Sequence, residues 1–287
     1  MNVVLEDHSE RRKKLRIFYI TIISICFIAI IAAFVIQIKQ ESDPSSIGNI
    51  SRLPQLTDDK ISVYKQQFNE MFENKVNYDL SSNAYKIDKI DQGEEIVYLG
   101  YQSKENKAND YEIDVNIPYI NIKNETIEEF NKQIQDIFEK KAKDVLNTKN
   151  KNIIYTVDYS AYVANNILSV VVRSTLKEGA NPQRDIIQTY NYDLISQNKC
   201  TIDKMIEIKG ITKKEANQKI SDEIKIIQKR VEELAKLGYT IYQRDYTSDI
   251  YNINNVTDYF MGNDNTLYII YAYGNQNHTS EMDIIIM

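Results

Sequence analysis

The chain reads as an α+β protein: a single N-terminal transmembrane helix followed by an exported domain of two α/β subdomains with antiparallel-rich sheets and packed helices. Three observations predict this. Residues 17–38 carry no charge and follow five basic residues, Arg11, Arg12, Lys13, Lys14 and Arg16. Two later stretches place apolar residues at three- and four-residue steps, as one face of a helix requires. Between and after them lie runs rich in Ile, Val and Tyr, bounded by Asn, Gly and Pro, as strands are.

The uncharged run is 22 residues long. As a helix it would extend roughly 33 Å, enough for a hydrocarbon core of about 30 Å. Ile, Phe and Ala occupy every side of it, and only Thr21, Ser24 and Gln37 are polar. It also exceeds the apolar region of about 7 to 15 residues found in a cleaved signal peptide, so retention as an anchor is expected. The basic cluster is expected to stay cytoplasmic. That sets a single-pass topology in the cell membrane, with residues 1–16 as a cytoplasmic tail and the C-terminal domain extracellular. Residues 39–56, with Ser, Pro and Gly and little periodicity, read as a linker.

Taken in order, Ile61, Tyr64, Phe68, Met71, Phe72 and Val76 predict an amphipathic helix over 57–80. A first α+β subdomain is expected over 81–200. Its strand YEIDVNIPYINI alternates Ile113, Val115 and Ile117 with Asp114 and Asn116, and Asn124 then caps a helix striped by Ile127, Phe130, Ile134, Ile137, Phe138, Ala142 and Val145. Glutamates in the first turns of this helix and lysines in the last suit its dipole. Three consecutive strands follow as an antiparallel meander, turned at Asn165-Asn166 and at GANPQ. The second subdomain, 201–287, opens with a connector, TIDKMIEIKG. Thr212 and Glu215 then form a capping box for a helix that buries Ala216, Ile220, Ile224, Ile227, Val231, Leu234 and Leu237 and stops at Gly238. Strands DYFMGNDNTLYIIYAYG and SEMDIIIM close the chain.

Composition narrows function. The chain outside the first 38 residues holds 30 basic and 38 acidic residues, a net charge of minus eight, which disfavours nucleic acid and anionic lipid and suits a cationic partner. Cys26 lies in the apolar run and Cys200 outside it, so no disulfide is expected and Cys200 reads as a buried thiol. His278 is the one histidine outside the tail. No cofactor and no metal site are expected: the Asp249, Asn252, Asn254, Asn255 and Asp258 group lacks the spacing and bidentate Glu of a calcium loop. No catalytic residues are assigned, because carboxylate pairs such as Glu128-Glu129 are adjacent and diverge on a helix. The remaining signal is tyrosine, 21 residues against no tryptophan. Tyr271, Tyr273, Asn275 and His278, where strand gives way to loop, are the candidate ligand-binding residues.

The stretch IPYINIKNETIEEFNKQIQDIFEKKAKDVL, followed by a meander, is similar to a domain at the start of some peptidoglycan deacetylases of Gram-positive bacteria. The helix to Gly238 with DYFMGNDNTLYIIYAYG and SEMDIII looks like a second, DUF3298-like domain. Together they resemble the outer part of the lysozyme-sensing anti-sigma-V factor family, in which the outer domain binds lysozyme and proteolysis within the membrane releases a sigma factor. The resemblance implies a membrane-anchored binding or sensor protein of the cell envelope, with a lysozyme-like cationic protein or peptidoglycan as partner. The sixteen-residue tail is short for a sigma-binding segment, and no deacetylase domain follows the second module. The alternative expectation is a wall-associated enzyme or accessory domain acting on peptidoglycan, or a structural envelope protein.

Overall fold

The computed structural model describes residues 58–72, 75–77, 85–93, 95–147, 152–274 and 279–287. All of them belong to one compact unit, Leu53–Met287. The predicted membrane helix, the basic cluster Arg11, Arg12, Lys13, Lys14 and Arg16, and the linker lie outside the described residues. Among the described residues no helix is long and apolar enough to cross a membrane.

Helix α1 (Asp58–Glu70) is shorter than predicted, and Lys75–Asn77 form a short strand, β1. The helix stops where side chains take over its end: the Ser160 hydroxyl donates to the Met71 carbonyl, and Phe68 and Phe72 pack edge-on with ring centres 5.0 Å apart. β1 then pairs in parallel with residues 160–162.

β2 (Val97–Lys107) and β3 (Tyr111–Ile120) form an antiparallel hairpin, with the polar stretch Lys104 to Lys107 part of the strand. Asn124 caps α2 (Glu125–Ile134) by accepting from the Thr126 amide at 3.0 Å. A π turn over Gln135–Glu139 joins α2 to α3 (Lys140–Asn147). The helical stripe survives this turn with one change: Phe138 is fully buried, whereas Ile137, predicted on the stripe, faces solvent. Widening one turn shifts the residues after it around the axis, and only one of two adjacent side chains can then point inward.

The meander forms as predicted, from β4 (Ile153–Ala164), β5 (Ile167–Glu178) and β6 (Arg184–Asp193), each pair antiparallel. Asn165 and Asn166 turn the first hairpin at φ 51° and 63°. β3 runs parallel to β4. With β7 (Asn198–Lys199) these strands make a seven-stranded sheet in the order β2-β3-β4-β5-β6-β7, β1 joining at β4. Cys200 is buried directly after it, and burial pushes its thiol up to about 11. That value keeps it a packing residue.

Helix α4 (Ile202–Lys209) leads to α5 (Lys213–Lys236), whose capping box closes with the Glu215 amide 3.2 Å from the Thr212 hydroxyl and the Thr212 amide 2.7 Å from the Glu215 carboxylate. Its buried face holds Ala216, Ile220, Ile224, Ile227 and Val231, but Leu237, predicted inward, is 75 % exposed. The chain has already left the helix there, turning through Gly238 at φ +90°. β8 (Asp258–Met261), β9 (Leu267–Ala272) and β10 (Met282–Ile286) form a second, antiparallel sheet.

The two sheets are joined by a core and by side chains. Phe68, Tyr162, Val171, Ile187, Phe260 and Ile284 pack in one cluster drawn from α1 and both sheets. Strand β8 exchanges hydrogen bonds with β5 and β6 side chains: the Tyr259 amide donates to the Thr189 hydroxyl (3.1 Å), the Met261 amide to the Ser169 hydroxyl (3.1 Å), and the Asn191 amide group to the Tyr259 carbonyl (2.7 Å). These satisfy backbone groups that the second sheet would otherwise bury unpaired.

Asp258 opens β8, and burial raises its carboxyl to about 6 against a hydrogen bond from Thr257. The folded state therefore holds this proton more tightly than the unfolded chain, and stability from this group falls as pH rises from about 4 to 6. Asp258→Asn is expected to flatten that dependence and raise stability at pH 7 by about 1–3 kcal/mol, measured by urea unfolding across the pH range. Gly274 follows β9, where a Cβ would sit 1.8 Å from the Asp185 carbonyl oxygen. Gly274→Ala must displace main chain, and the Arg184 Nε donation to the Gly274 carbonyl (2.9 Å) with it. The expected loss is about 1–3 kcal/mol, read as a lower urea midpoint.

Candidate binding cleft

Arg244, on the irregular segment after α5, is a buried cation. It is 4 % exposed, and its partner Asp283 on β10 is 1 % exposed. Nε donates to Asp283 Oδ2 at 2.9 Å and Nη2 to Oδ1 at 3.1 Å, a two-bond fork. Nη1 donates to Glu281 Oε2 at 2.7 Å and to the Tyr242 carbonyl. Burial works against the charge, but Asp283 and then Glu281 outweigh it and hold the guanidinium above its usual range. Tyr242 closes the ring through its amide, which donates to Glu281 Oε1 at 2.9 Å.

Tyrosines extend this network inward. The Tyr273 hydroxyl donates to Asp283 Oδ2 at 2.6 Å and lies 2.8 Å from the Tyr251 hydroxyl. Burial, then the Asp283 charge, raises Tyr273 far above an ordinary phenol; burial lifts Tyr251 to about 12. Tyr242 and Tyr273 rings sit 4.4 Å apart, and the Arg244 guanidinium lies 5.1 Å from the Tyr273 ring centre. The arrangement follows from strand alternation: Asp283 pairs directly with Tyr271, so both side chains share the sheet face that α5 covers.

Beside this network lies a cleft of about 370 Å³. Helix α1 contributes Ile61 and Lys65, α5 contributes Ile227, Arg230, Val231 and Leu234, and Ile241, Arg244 and Glu281 complete it. Burial lowers Lys65, opposed by the charges of Asp283 and Glu281. On α5, Lys219 bonds one oxygen of buried Glu223 while the other has no hydrogen-bond partner among the described residues; burial raises this carboxyl.

The four predicted binding residues separate. Tyr273 does not line the cleft: it is 3 % exposed and bonded to Asp283, which in turn holds the cleft residue Arg244. Tyr271 is buried against Tyr251, ring centres 5.0 Å apart, and its hydroxyl has no hydrogen-bond partner among the described residues. Neither ring is offered to solvent, since their strand is covered on both faces. Asn275 and His278 lie outside the described residues. The polar group at 249–258 is spent on local structure: Asn252 caps a 3-10 turn through the Asn254 amide, and Asn255 donates to the Asp249 carbonyl at 2.8 Å. Lys65, Arg230, Arg244 and Glu281 were not singled out in the sequence. Asp283 carries the one usable signal, a carboxylate set inside the apolar strand MDIII, which demands a buried cation nearby.

No family model matches the chain, and no curated protein does. Solved structures similar to it include two crystal structures. Both are DUF3298 family proteins. The one from Pseudomonas aeruginosa PAO1 is 8 % identical, covers 66 % of this chain and 85 % of its own, and aligns at a TM-score of 0.37. The one from Bacteroides fragilis is 10 % identical, covers 72 % of this chain and 92 % of its own, at a TM-score of 0.34. What the cleft can hold is set by the residues of this chain.

Proposed function

We propose that this is a membrane-anchored, extracytoplasmic binding or sensor protein of the bacterial cell envelope, related in organisation to the anti-sigma-V factors and to the first domain of the peptidoglycan deacetylases. One observation carries the reading: α1, the first described helix after the segment read as anchor and linker, forms one wall of the cleft. A ligand in the cleft therefore touches the element closest in sequence to the membrane. Binding rather than turnover is favoured because the carboxylates nearest the cleft, Glu281 and Asp283, are both engaged by Arg244 and neither is available as a base. The partners to test are lysozyme and peptidoglycan. Full-length protein in membranes, with cysteines introduced on the body, should label from outside the cell and retain one of the two partners in a pull-down. Labelling only from the cytosolic side would overturn the assignment.

A further inference from the structure

The cleft combines three features that together select a ligand class. Its walls are aliphatic, from Ile61, Ile227, Val231, Leu234 and Ile241. Its charge is unbalanced: Arg244 is matched by Asp283 and Glu281, whereas Lys65 and Arg230 form no hydrogen bond or ion pair among the described residues. Lys65, Arg230 and Arg244 therefore face two carboxylates already engaged. Between the lining residues Leu234 and Ile241, the chain exposes two further apolar side chains, Leu237 by 75 % and Tyr239 by 62 %. Lys65 is half-buried and Arg230 exposed at the mouth; a half-buried cation beside aliphatic surface, with a second cation near it, is stabilised by an anion that brings its own apolar body. A volume of about 370 Å³ is in the range of small-molecule sites.

We propose that this cleft binds an anionic amphiphile, an aliphatic chain with a carboxylate or phosphate head. The chain lies along Ile61, Val231 and Leu234, and the head sits between Lys65 and Arg230. This rests on the binding reading above and names its ligand. It also reverses locally the expectation from net charge, because an acidic molecule presents here a site of the opposite sign. The same head chemistry occurs on free fatty acids and on membrane phospholipids.

The test uses full-length protein in nanodiscs of phosphatidylcholine, with Leu237→Trp as reporter; the chain has no tryptophan, so this indole is the only one. Decanoate should shift its emission to the blue and saturate, and decanol should bind at least tenfold more weakly. Lys65→Gln and Arg230→Gln should each weaken decanoate about tenfold, and Val231→Trp, in a parent without the reporter, should abolish uptake of radiolabelled decanoate. Circular dichroism checks that each variant is folded. Loss of the decanoate response when phosphatidylglycerol replaces phosphatidylcholine identifies membrane lipid as the source, and an unchanged response identifies free acid; both support the proposal. Equal binding of decanol and decanoate, no saturable binding, or full binding by folded Lys65→Gln and Arg230→Gln overturns it. Failure of the topology test leaves this result standing, and retention of peptidoglycan without decanoate binding overturns the ligand class alone.

Discussion

Arg244→Ala is expected to be among the most destabilising single substitutions in the described unit, lowering stability by about 3–5 kcal/mol. The change strands Asp283, which is buried, and removes one partner of Glu281. Two carboxylates held by one guanidinium cannot both stay ionised out of water once it is gone. Against a total stability of about 5–15 kcal/mol, the variant would approach unfolding at ambient temperature. Urea titration followed by far-ultraviolet circular dichroism measures the loss. Arg244→Met with Asp283→Leu should recover much of it, because an apolar pair of similar size needs no solvation. A loss below about 1 kcal/mol for Arg244→Ala would mean that the network contributes little.

Phe68→Ala should have a comparable local effect, about 3–5 kcal/mol, with a different signature. Phe68 is fully buried against Phe260, ring centres 6.3 Å apart, and is the main apolar anchor of α1 alongside Ile61. A thirteen-residue helix is marginal without its packing. The loss should therefore appear first as release of α1, seen as faster amide exchange over 58–70 while the strands β4 and β5 stay protected. Uniform loss of protection across the unit would refute this. Because α1 carries Ile61 and Lys65, the same substitution should weaken any cleft ligand.

Local chemistry was the legible part of the fold. Thr212 with Glu215, Asn124, and Asn165-Asn166 each specify a conformation within four residues, and each is found. The misplacements at Ile137, Leu237 and Val76 share a cause: apolar spacing says that a residue can face a core, but the competing neighbour decides whether it does. Val76 joins a parallel ladder whose partner, Ala161, is remote in sequence, and no local pattern announces such pairing. The cleft was legible only in fragments. Tyrosine crowding near the end of the chain marked the neighbourhood, yet Tyr271 and Tyr273 are buried behind the cleft, packed on Tyr251 and bonded to Asp283 respectively. Arg244 and Asp283 come from segments 39 residues apart, and only the lone carboxylate in an apolar strand betrayed them.

Helix α1 packs against β10, so the two ends of the described unit meet. Synthesis proceeds from the N-terminus, and α1 therefore emerges roughly two hundred residues ahead of the strand it needs. Until those final residues arrive, Phe68 and Ile61 have no complete seat. A chain lacking residues 282–287 would leave uncovered the face of α1 that β10 otherwise seals.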